Sequence, residues 1–216
     1  MVWRGSTTFV AKKSMSNPAF MSVCIEGEKR ELRSLYGKMK RLQERKKPLV
    51  ENDFYTPKQW LGCLVKRLGK DWHEVYCRGT WSDLKLHHDH LYFGTETAWN
   101  APYELLQLIT ECYPSLKCYF EVEGDGDWYL TNDAEGKYYT SRYVIDMEPD
   151  IEYFDTIEAA CEHVKAYIGK PVAPTWHALQ EAAEDWNDAH PDANWPIELK
   201  EIKVVMIEEI NQGLFA

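Results

Sequence analysis

The chain has 216 residues, of which 44% are hydrophobic and 28% charged, and its formal net charge is −10 at pH 7. This length allows a buried core without disulfide bonds, and the composition excludes collagen-like, low-complexity and wholly disordered chains. The longest run without a polar side chain, residues 60–65, is far too short to cross a bilayer, and no signal-peptide pattern opens the sequence. We therefore expect a cytoplasmic protein.

Charge is distributed unevenly along the chain. Residues 1–108 contain 18 Lys/Arg and 12 Asp/Glu, whereas residues 109–216 contain 7 and 23. Because an acidic protein is repelled by phosphate backbones, affinity for nucleic acid would require a local basic patch. Residues 29–47 form such a patch, with nine basic and two acidic residues. Their apolar stripe predicts an amphipathic helix whose basic side is a solvated surface, with nucleic-acid binding as the alternative.

The first half of the chain alternates between strand and helix signals. Residues 1–17 lack a sustained period and predict a loose arm. The elements that follow are a strand at 20–27, a helix at 28–46, a second helix at 57–68, and two strands at 75–86 and 91–97 joined by a polar loop at 87–90. Pro102 then opens a helix that Pro114 closes, and alternation predicts a strand at 116–122.

The second half predicts a hairpin and further helices. Residues 128–131 and 137–145 are the predicted hairpin strands, and the Gly and Asp residues near them predict turns. Asp155 and Glu158 have the spacing of a capping box for a helix that ends at Gly169. Thr175 is a predicted cap of the next helix. Residues 196–210 suit either a strand or a helix, and we favour a helix.

With the helix at 57–68 counted as an insertion, residues 20–122 follow the order βαββαβ. This order predicts an α+β protein with a ferredoxin-like antiparallel sheet, extended by the hairpin and followed by a helical C-terminal extension. The predicted organisation is an arm at 1–17, a ferredoxin-like domain at 18–170 and the extension at 171–216.

Short blocks of the first domain carry a resemblance to a known family. The segment RGTWSDLKL at 78–86 is followed by LYFGTETAW at 91–99 and by two prolines further on. Their spacing resembles the YubB-type ferredoxin-like domain family of phages, plasmids and integrated elements of gut bacteria, over roughly residues 18–146. The matching positions are Gly79, Thr80, Trp81, Thr97, Ala98, Trp99, Pro102, Tyr113 and Pro114. Glu96 stands where the family pattern has aspartate. The resemblance implies the fold and a mobile-element origin, but no catalytic residue.

The sequence predicts neither a cofactor nor a firm metal site. The six cysteines lack the spacing of zinc or iron–sulfur ligands and are interpreted as reduced, mostly buried residues. His87, His88 and His90 are weak metal candidates, because neighbouring strand-end side chains diverge to opposite faces. No nucleophile-and-base pair is recognisable, so binding is favoured over catalysis. An uncharacterised enzyme with a carboxylate/His site is the remaining alternative.

Acidic and aromatic residues are interleaved in the sheet region. Residues 121–158 contain twelve acidic and two basic residues, and aromatic side chains favour protein interfaces. We expect a non-enzymatic accessory protein that binds a basic surface of a host or element protein, as a counter-defence inhibitor or nucleic-acid mimic would. The candidate residues are Trp81, Glu96, Trp99, Glu123, Asp125, Asp127 and Trp128. The alternative is a nucleic-acid-binding regulator that uses Lys38, Arg41 and Arg45.

Overall fold

The structure is a computed structural model that describes residues 17–51, 57–124, 128–147, 150–193 and 195–206. These residues form eight strands and five helices, which confirms the predicted α+β class. None of the helices in these ranges is long and apolar enough to cross a membrane. The chain divides into two compact units, Met1–Asp127 with Val205–Ala216, and Trp128–Val204. The predicted boundary at residue 170 falls within the second unit.

The first unit combines four antiparallel strands with three helices. Its elements are β1 (Pro18–Glu26), α1 (Lys29–Glu44), α2 (Leu61–Leu68), β2 (Gly79–His87), β3 (His90–Ala98), α3 (Tyr103–Cys112) and β4 (Lys117–Gly124). The strand order is β2-β3-β1-β4, and each neighbouring pair is antiparallel. The predicted strand–helix order of this half, including the β2–β3 hairpin, is confirmed.

The inserted helix α2 is shorter than the predicted span 57–68. Trp60 precedes it with an extended backbone and bridges to β2, so the helix begins only at the next residue. It ends at Gly69, whose φ of 99° is readily adopted only by glycine. The Trp60 ring lies over Gly62 so closely that a Cβ atom there would be 2.4 Å from a ring carbon. Residue 62 therefore has no room for a side chain.

The second unit contains the other four strands and two helices. Its elements are β5 (Trp128–Thr131), β6 (Tyr143–Met147), β7 (Asp150–Phe154), α4 (Ile157–Ile168), α5 (Trp176–Ala189) and β8 (Glu198–Val204). The strand order is β5-β8-β6-β7, with β8 parallel to β5 and antiparallel to β6. The predicted hairpin between 128–131 and 137–145 is therefore wrong, because β8 separates the two strands. Strand β7 was not predicted.

The predicted helical extension is also wrong in part. Helix α5 is present, but residues 198–204 form β8 instead of a helix. Leu199 packs against the core cluster that includes both helices, whereas Ile202 packs with Tyr129 and Val144. Because both faces of β8 contact apolar residues, its sequence lacks the alternation that distinguishes a strand from a short helix. Residues 207–216 lie outside the described residues.

Asp133 explains why residues 137–142 form a loop. Its side chain is 1% exposed, and its carboxylate accepts backbone N–H groups from Lys137 (3.0 Å), Tyr138 (2.6 Å) and Tyr139 (2.9 Å). The Arg142 guanidinium donates to the carbonyl oxygens of four residues of the same loop. These bonds take the amides that a strand would use in a ladder, so the strand begins only at Tyr143.

Hydroxyl caps define the two helices of this unit. Thr156 caps α4 by accepting the backbone N–H three residues later (3.3 Å), so the predicted capping box at Asp155 is wrong by one residue. Asp155 instead accepts a hydrogen bond from Ser141 (3.3 Å). The predicted cap Thr175 is confirmed, at 3.2 Å. The core beneath the helices consists of Ile145, Met147, Ala160, Cys161, Val164, Leu179, Ala183 and Ile197.

Candidate interaction surface

The helices of the first unit cover one face of its sheet. Tyr103 of α3 packs against Phe120 of β4, with ring centroids 5.4 Å apart, and α2 contacts both α1 and α3. Phe120 lies beside Val23 of β1, which lies beside Phe93 of β3, and all three are buried. Because successive strand residues point to opposite faces, the residues next to these three in sequence lie on the other face. We call this second face the open face; the name marks only its position opposite the three helices, and Cys24 on this face is completely buried.

One end of the open face is acidic. Phe20 of β1 has Glu96 of β3 as its register partner on one side and Glu123 of β4 on the other. Directly opposed antiparallel residues have Cβ atoms about 5 Å apart, so two carboxylates flank one aromatic ring. Glu121 lies two residues before Glu123 on the same face. We call Phe20, Glu96, Glu121 and Glu123 the acidic end.

The opposite end of the open face carries cationic side chains. Glu26 at the end of β1 lies between His90 and Lys117, and Lys85 of β2 lies one row closer to the middle of the face. The carboxylate of Glu26 accepts a hydrogen bond from the Tyr119 hydroxyl (3.0 Å). The charge of the open face therefore changes sign between the beginning and the end of β1.

A row without carboxylates separates the acidic end from the end of β1, with Lys85 of β2 as the register partner of Tyr92 at its edge. Cys24 of β1 is completely buried and lies in register between Tyr92 of β3 and Tyr119 of β4. Burial raises the pKa of Tyr92, and its interaction with Cys24 raises the pKa further. The tyrosine hydroxyl therefore remains protonated near neutral pH and adds no charge to the face.

The acidic end contains two of the sequence-predicted partner-binding residues. Glu96 and Glu123 are far apart in sequence, but β1 places them on either side of Phe20. Glu123 is exposed and Glu96 is partly buried. Phe20 and Glu121 were not predicted as site residues. Their sequence signal is the alternation of each strand, but placing them together requires the pairing of β1 with β4.

The other predicted partner-binding residues are placed differently. Trp81 is only 2% exposed, so it belongs to the core and not to the open surface. Trp99 is 51% exposed, has a φ of 73°, and donates its backbone N–H to the Asn17 carbonyl (2.6 Å). Trp128 is partly buried and belongs to the second unit. Asp125 and Asp127 lie outside the described residues.

Helix α1 carries the predicted alternative site. Its buried residues Leu32, Leu35, Met39 and Leu42 confirm the apolar stripe. Lys38 is partly buried with its ammonium 4.9 Å from the centre of the Tyr113 ring, Arg41 is exposed, and Arg45 donates to the Lys47 carbonyl (3.2 Å). Among the described side chains, no carboxylate forms an ion pair with Lys38, Arg41 or Arg45.

The three histidines of the β2–β3 turn do not form a metal cluster with their neighbours. His87 and His90 are register partners, whereas His88 lies in the turn with a φ of 40°. The Nδ1 atom of His90 is 2.8 Å from a carboxylate oxygen of Asp89. Within the described ranges, no group of three or more His, Cys, Asp or Glu side chains is arranged to hold a metal ion.

The described residues form a mixed α/β protein whose eight strands and five helices divide into two compact units. Comparisons with protein-family models, curated proteins and solved structures found no match. The interpretation of the surface therefore depends on the geometry and charge of its own residues.

Proposed function

We propose that this protein is a non-enzymatic interaction protein that binds a basic surface of a partner protein through the acidic end of the open face. The observation that carries the proposal is the register row in which Glu96 and Glu123 flank Phe20. An aromatic ring attracts a cation to its face, and a carboxylate beside the ring hydrogen-bonds the same cation. This arrangement suits arginine, whose planar guanidinium can stack and form paired hydrogen bonds.

The charge of the second unit supports the same proposal. Residues 128–204 contain 16 Asp/Glu and 6 Lys/Arg, which accounts for the net charge of −10 of the whole chain. Helix α5 contributes an exposed acidic stripe at the i, i+3, i+4 and i+7 spacing of one helix face: Glu181, Glu184, Asp185 and Asp188. Because like charges at this spacing destabilise a helix slightly, the stability of α5 does not explain the stripe. A field of this sign steers a basic partner towards the protein and repels nucleic acid.

We further propose that the first unit is a ferredoxin-like domain of a protein carried by a bacterial mobile element. Its element order, with α2 as an insertion, and its fully antiparallel sheet support the fold. The strands β5 to β8 lie outside that pattern. The resemblance of residues 18–146 to the YubB-type family supports the mobile-element origin. By analogy with other proteins of mobile elements, the corresponding role is that of a counter-defence inhibitor or a nucleic-acid mimic.

Capture from a host lysate tests the proposed function. The tagged 216-residue chain is compared with a Glu96→Gln/Glu123→Gln variant and with a Glu44→Gln/Glu111→Gln control, whose positions are exposed on α1 and α3. A captured protein is identified by mass spectrometry, purified and titrated against all three. We expect binding that weakens with salt and with the acidic-end variant but not with the control. Equal binding by all three proteins would refute this role of the acidic end.

The second candidate function is nucleic-acid binding through α1. It is favoured by Lys38 and Arg41 on α1 and by Arg45 directly after its end, none of which has a carboxylate ion-pair partner among the described residues. A Lys or Arg side chain that binds a phosphate releases counterions from the nucleic acid. Removing one such side chain therefore makes the plot of log affinity against log salt concentration less steep by about one. Reversing the three charges should remove salt-sensitive retention of nucleic acid. Unchanged retention would exclude this helix as the binding site.

A further inference from the structure

Three aromatic rings on either side of α2 form a continuous stack in the first unit. Trp60 and Trp72 meet edge to face with ring centroids 4.9 Å apart, and Trp72 stacks on His73 with centroids 3.6 Å apart and planes inclined by 29°. Trp60 is 7% exposed, Trp72 is partly buried, and the His73 side chain is 65% exposed. The rings therefore lead from the core to the surface. We call these three residues the ring stack.

The ring stack is held at both ends. At the inner end the Trp60 ring lies against Gly62, and its backbone bridges to β2. At the outer end the Asp71 carboxylate accepts hydrogen bonds from the backbone N–H of His73 (3.1 Å) and from its ring Nδ1 atom (2.7 Å). These bonds lower the pKa of Asp71, so the carboxylate stays ionised near neutral pH and keeps the imidazole in place. One face of the imidazole is thus fixed against the stack, and its other face is open to solvent.

Basic side chains predominate around the outer end of the ring stack. Residues 57–78 contain five Lys/Arg and two Asp/Glu. Lys66 and Arg67 belong to the last turn of α2, Lys70 follows its cap, and all three are exposed. Lys66 is close enough to Asp71 to lower the pKa of that carboxyl further. Among the described side chains, no carboxylate forms an ion pair with any of the three cations.

A flat ligand that carries negative charge fits both features. A nucleic-acid base stacks on an aromatic side chain, histidine included, and basic side chains bind the phosphates beside it. The guanidinium of an arginine also stacks on aromatic rings, but the cations beside this stack repel it. Because the bases of a duplex stack on one another, only an unpaired base can reach the imidazole.

We propose that the ring stack is a binding site for single-stranded nucleic acid, in which a base stacks on the outer face of His73 and Lys66 and Lys70 bind the adjacent phosphates. The site shares no residue with the acidic end and does not rest on the proposed function. It also differs from the nucleic-acid site considered on α1, because its affinity depends on stacking as well as on charge.

Fluorescence anisotropy of a short labelled oligothymidylate tests the stacking. The 216-residue chain is titrated at low salt, because salt screens the attraction between its basic side chains and phosphates. His73→Ala removes the outer ring, and His177→Ala, at an exposed position of α5, is the control. We expect His73→Ala to weaken binding about tenfold, the loss of one base–aromatic stack, and the control to leave it unchanged. His73→Phe keeps a ring without a charge and should restore most of the affinity.

The salt dependence of the affinity tests the phosphate contacts. Each phosphate bound on a single strand contributes about 0.7 to the slope of log affinity against log salt concentration, so Lys66→Ser/Lys70→Ser should make the plot less steep by about 1.4. Lys170→Ser/Lys203→Ser removes the same charge from exposed positions of the second unit and should leave the slope unchanged. Circular dichroism of each variant checks that the fold is retained.

Several results would overturn the proposal. Equal affinity of the original chain and His73→Ala would mean that no base stacks on the imidazole, and the absence of saturable binding at low salt would mean that the site does not exist. Competition by a duplex as effective as that by the single strand would mean that unpaired bases are not recognised. Binding that is lost on reversing the charges of Lys38, Arg41 and Arg45 but is unaffected by His73→Ala would assign it to α1 instead.

Discussion

Thr95 and Thr97 of β3 allow a matched test of the packing under the helices. Both point to the helix-covered face, and they are 5% and 0% exposed. The Thr97 hydroxyl donates to the carbonyl oxygens of Asn100 (2.7 Å) and Ala19 (3.3 Å). The Thr95 hydroxyl has no hydrogen-bond partner among the described residues. The same substitution at the two positions should therefore have opposite effects on stability.

Valine keeps the shape of threonine and replaces the hydroxyl with a methyl group. Removing an unsatisfied buried hydroxyl recovers part of a desolvation cost of about 1–3 kcal/mol, so Thr95→Val should stabilise the fold by about 1 kcal/mol. Thr97→Val loses a buried hydrogen bond and leaves the Asn100 carbonyl without that donor, which should cost about 1–2 kcal/mol. The free energies of unfolding of the two variants should thus differ by about 2–3 kcal/mol.

Urea unfolding followed by tryptophan fluorescence measures this difference. Circular dichroism before unfolding checks that both variants retain the native fold, and equal slopes against urea allow the midpoints to be compared directly. A loss of stability in Thr95→Val as large as that in Thr97→Val would refute the reasoning. It would mean that the Thr95 hydroxyl makes a buried hydrogen bond in the folded protein.

Three further predictions concern stability. Gly37→Ala should stabilise the fold by about 1 kcal/mol, because Gly37 lies inside α1 and a Cβ atom there meets only the end of the Arg41 side chain, at 3.4 Å. Gly62→Ala should destabilise the fold, because the Trp60 ring must move to make room for the Cβ atom. Asp133→Asn should cost about 2 kcal/mol or more, because an amide NH₂ replaces an acceptor of backbone N–H groups. Burial raises the pKa of Cys77 to about 11 and that of Cys118 to about 12, so the folded protein holds these thiol protons more tightly than the unfolded chain. Their contribution to stability should therefore be complete below about pH 8.5 and decline as pH rises towards these values.

Each of these predictions has a control and a contrary outcome. The two glycine variants are compared by the midpoint of urea unfolding. A loss of stability in both variants would show that α1 does not tolerate a Cβ atom at Gly37. Glu135→Gln, an exposed neighbour in the same loop, is the control for Asp133→Asn, and equal effects would contradict the role of Asp133. For the alkaline transition, Cys118→Ala should flatten the stability profile above pH 9. An unchanged profile would assign the loss to other groups.

Much of the first unit follows from its sequence because the signals are local. The apolar stripe of α1 and the alternation in β3 each predict one element without knowledge of its neighbours. Trp81 is the exception, since an aromatic residue on a strand suits a surface and a core equally well. Its burial depends on the helices that pack over that face, and no local pattern reveals them.

The second unit was predicted less well because non-local contacts decide its strands. Asp133 draws three backbone N–H groups into a loop where alternation predicts a strand. Residues 198–204 form β8 because they enter between β5 and β6, and both of their faces meet apolar residues. Neither the carboxylate's partners nor the site of strand insertion can be inferred from periodicity, which reports only the residues within one element.

The acidic end itself is a product of register. Strand β1 brings together Glu96 and Glu123 from strands separated by α3, and a slip of one residue would turn its own side chains to the opposite faces. The same slip would expose Val23, which is buried between Phe93 and Phe120. Burial of that apolar row therefore fixes which side chains reach the open face. The charge pattern of the surface is thus set by the hydrophobic contacts on the other side of the sheet.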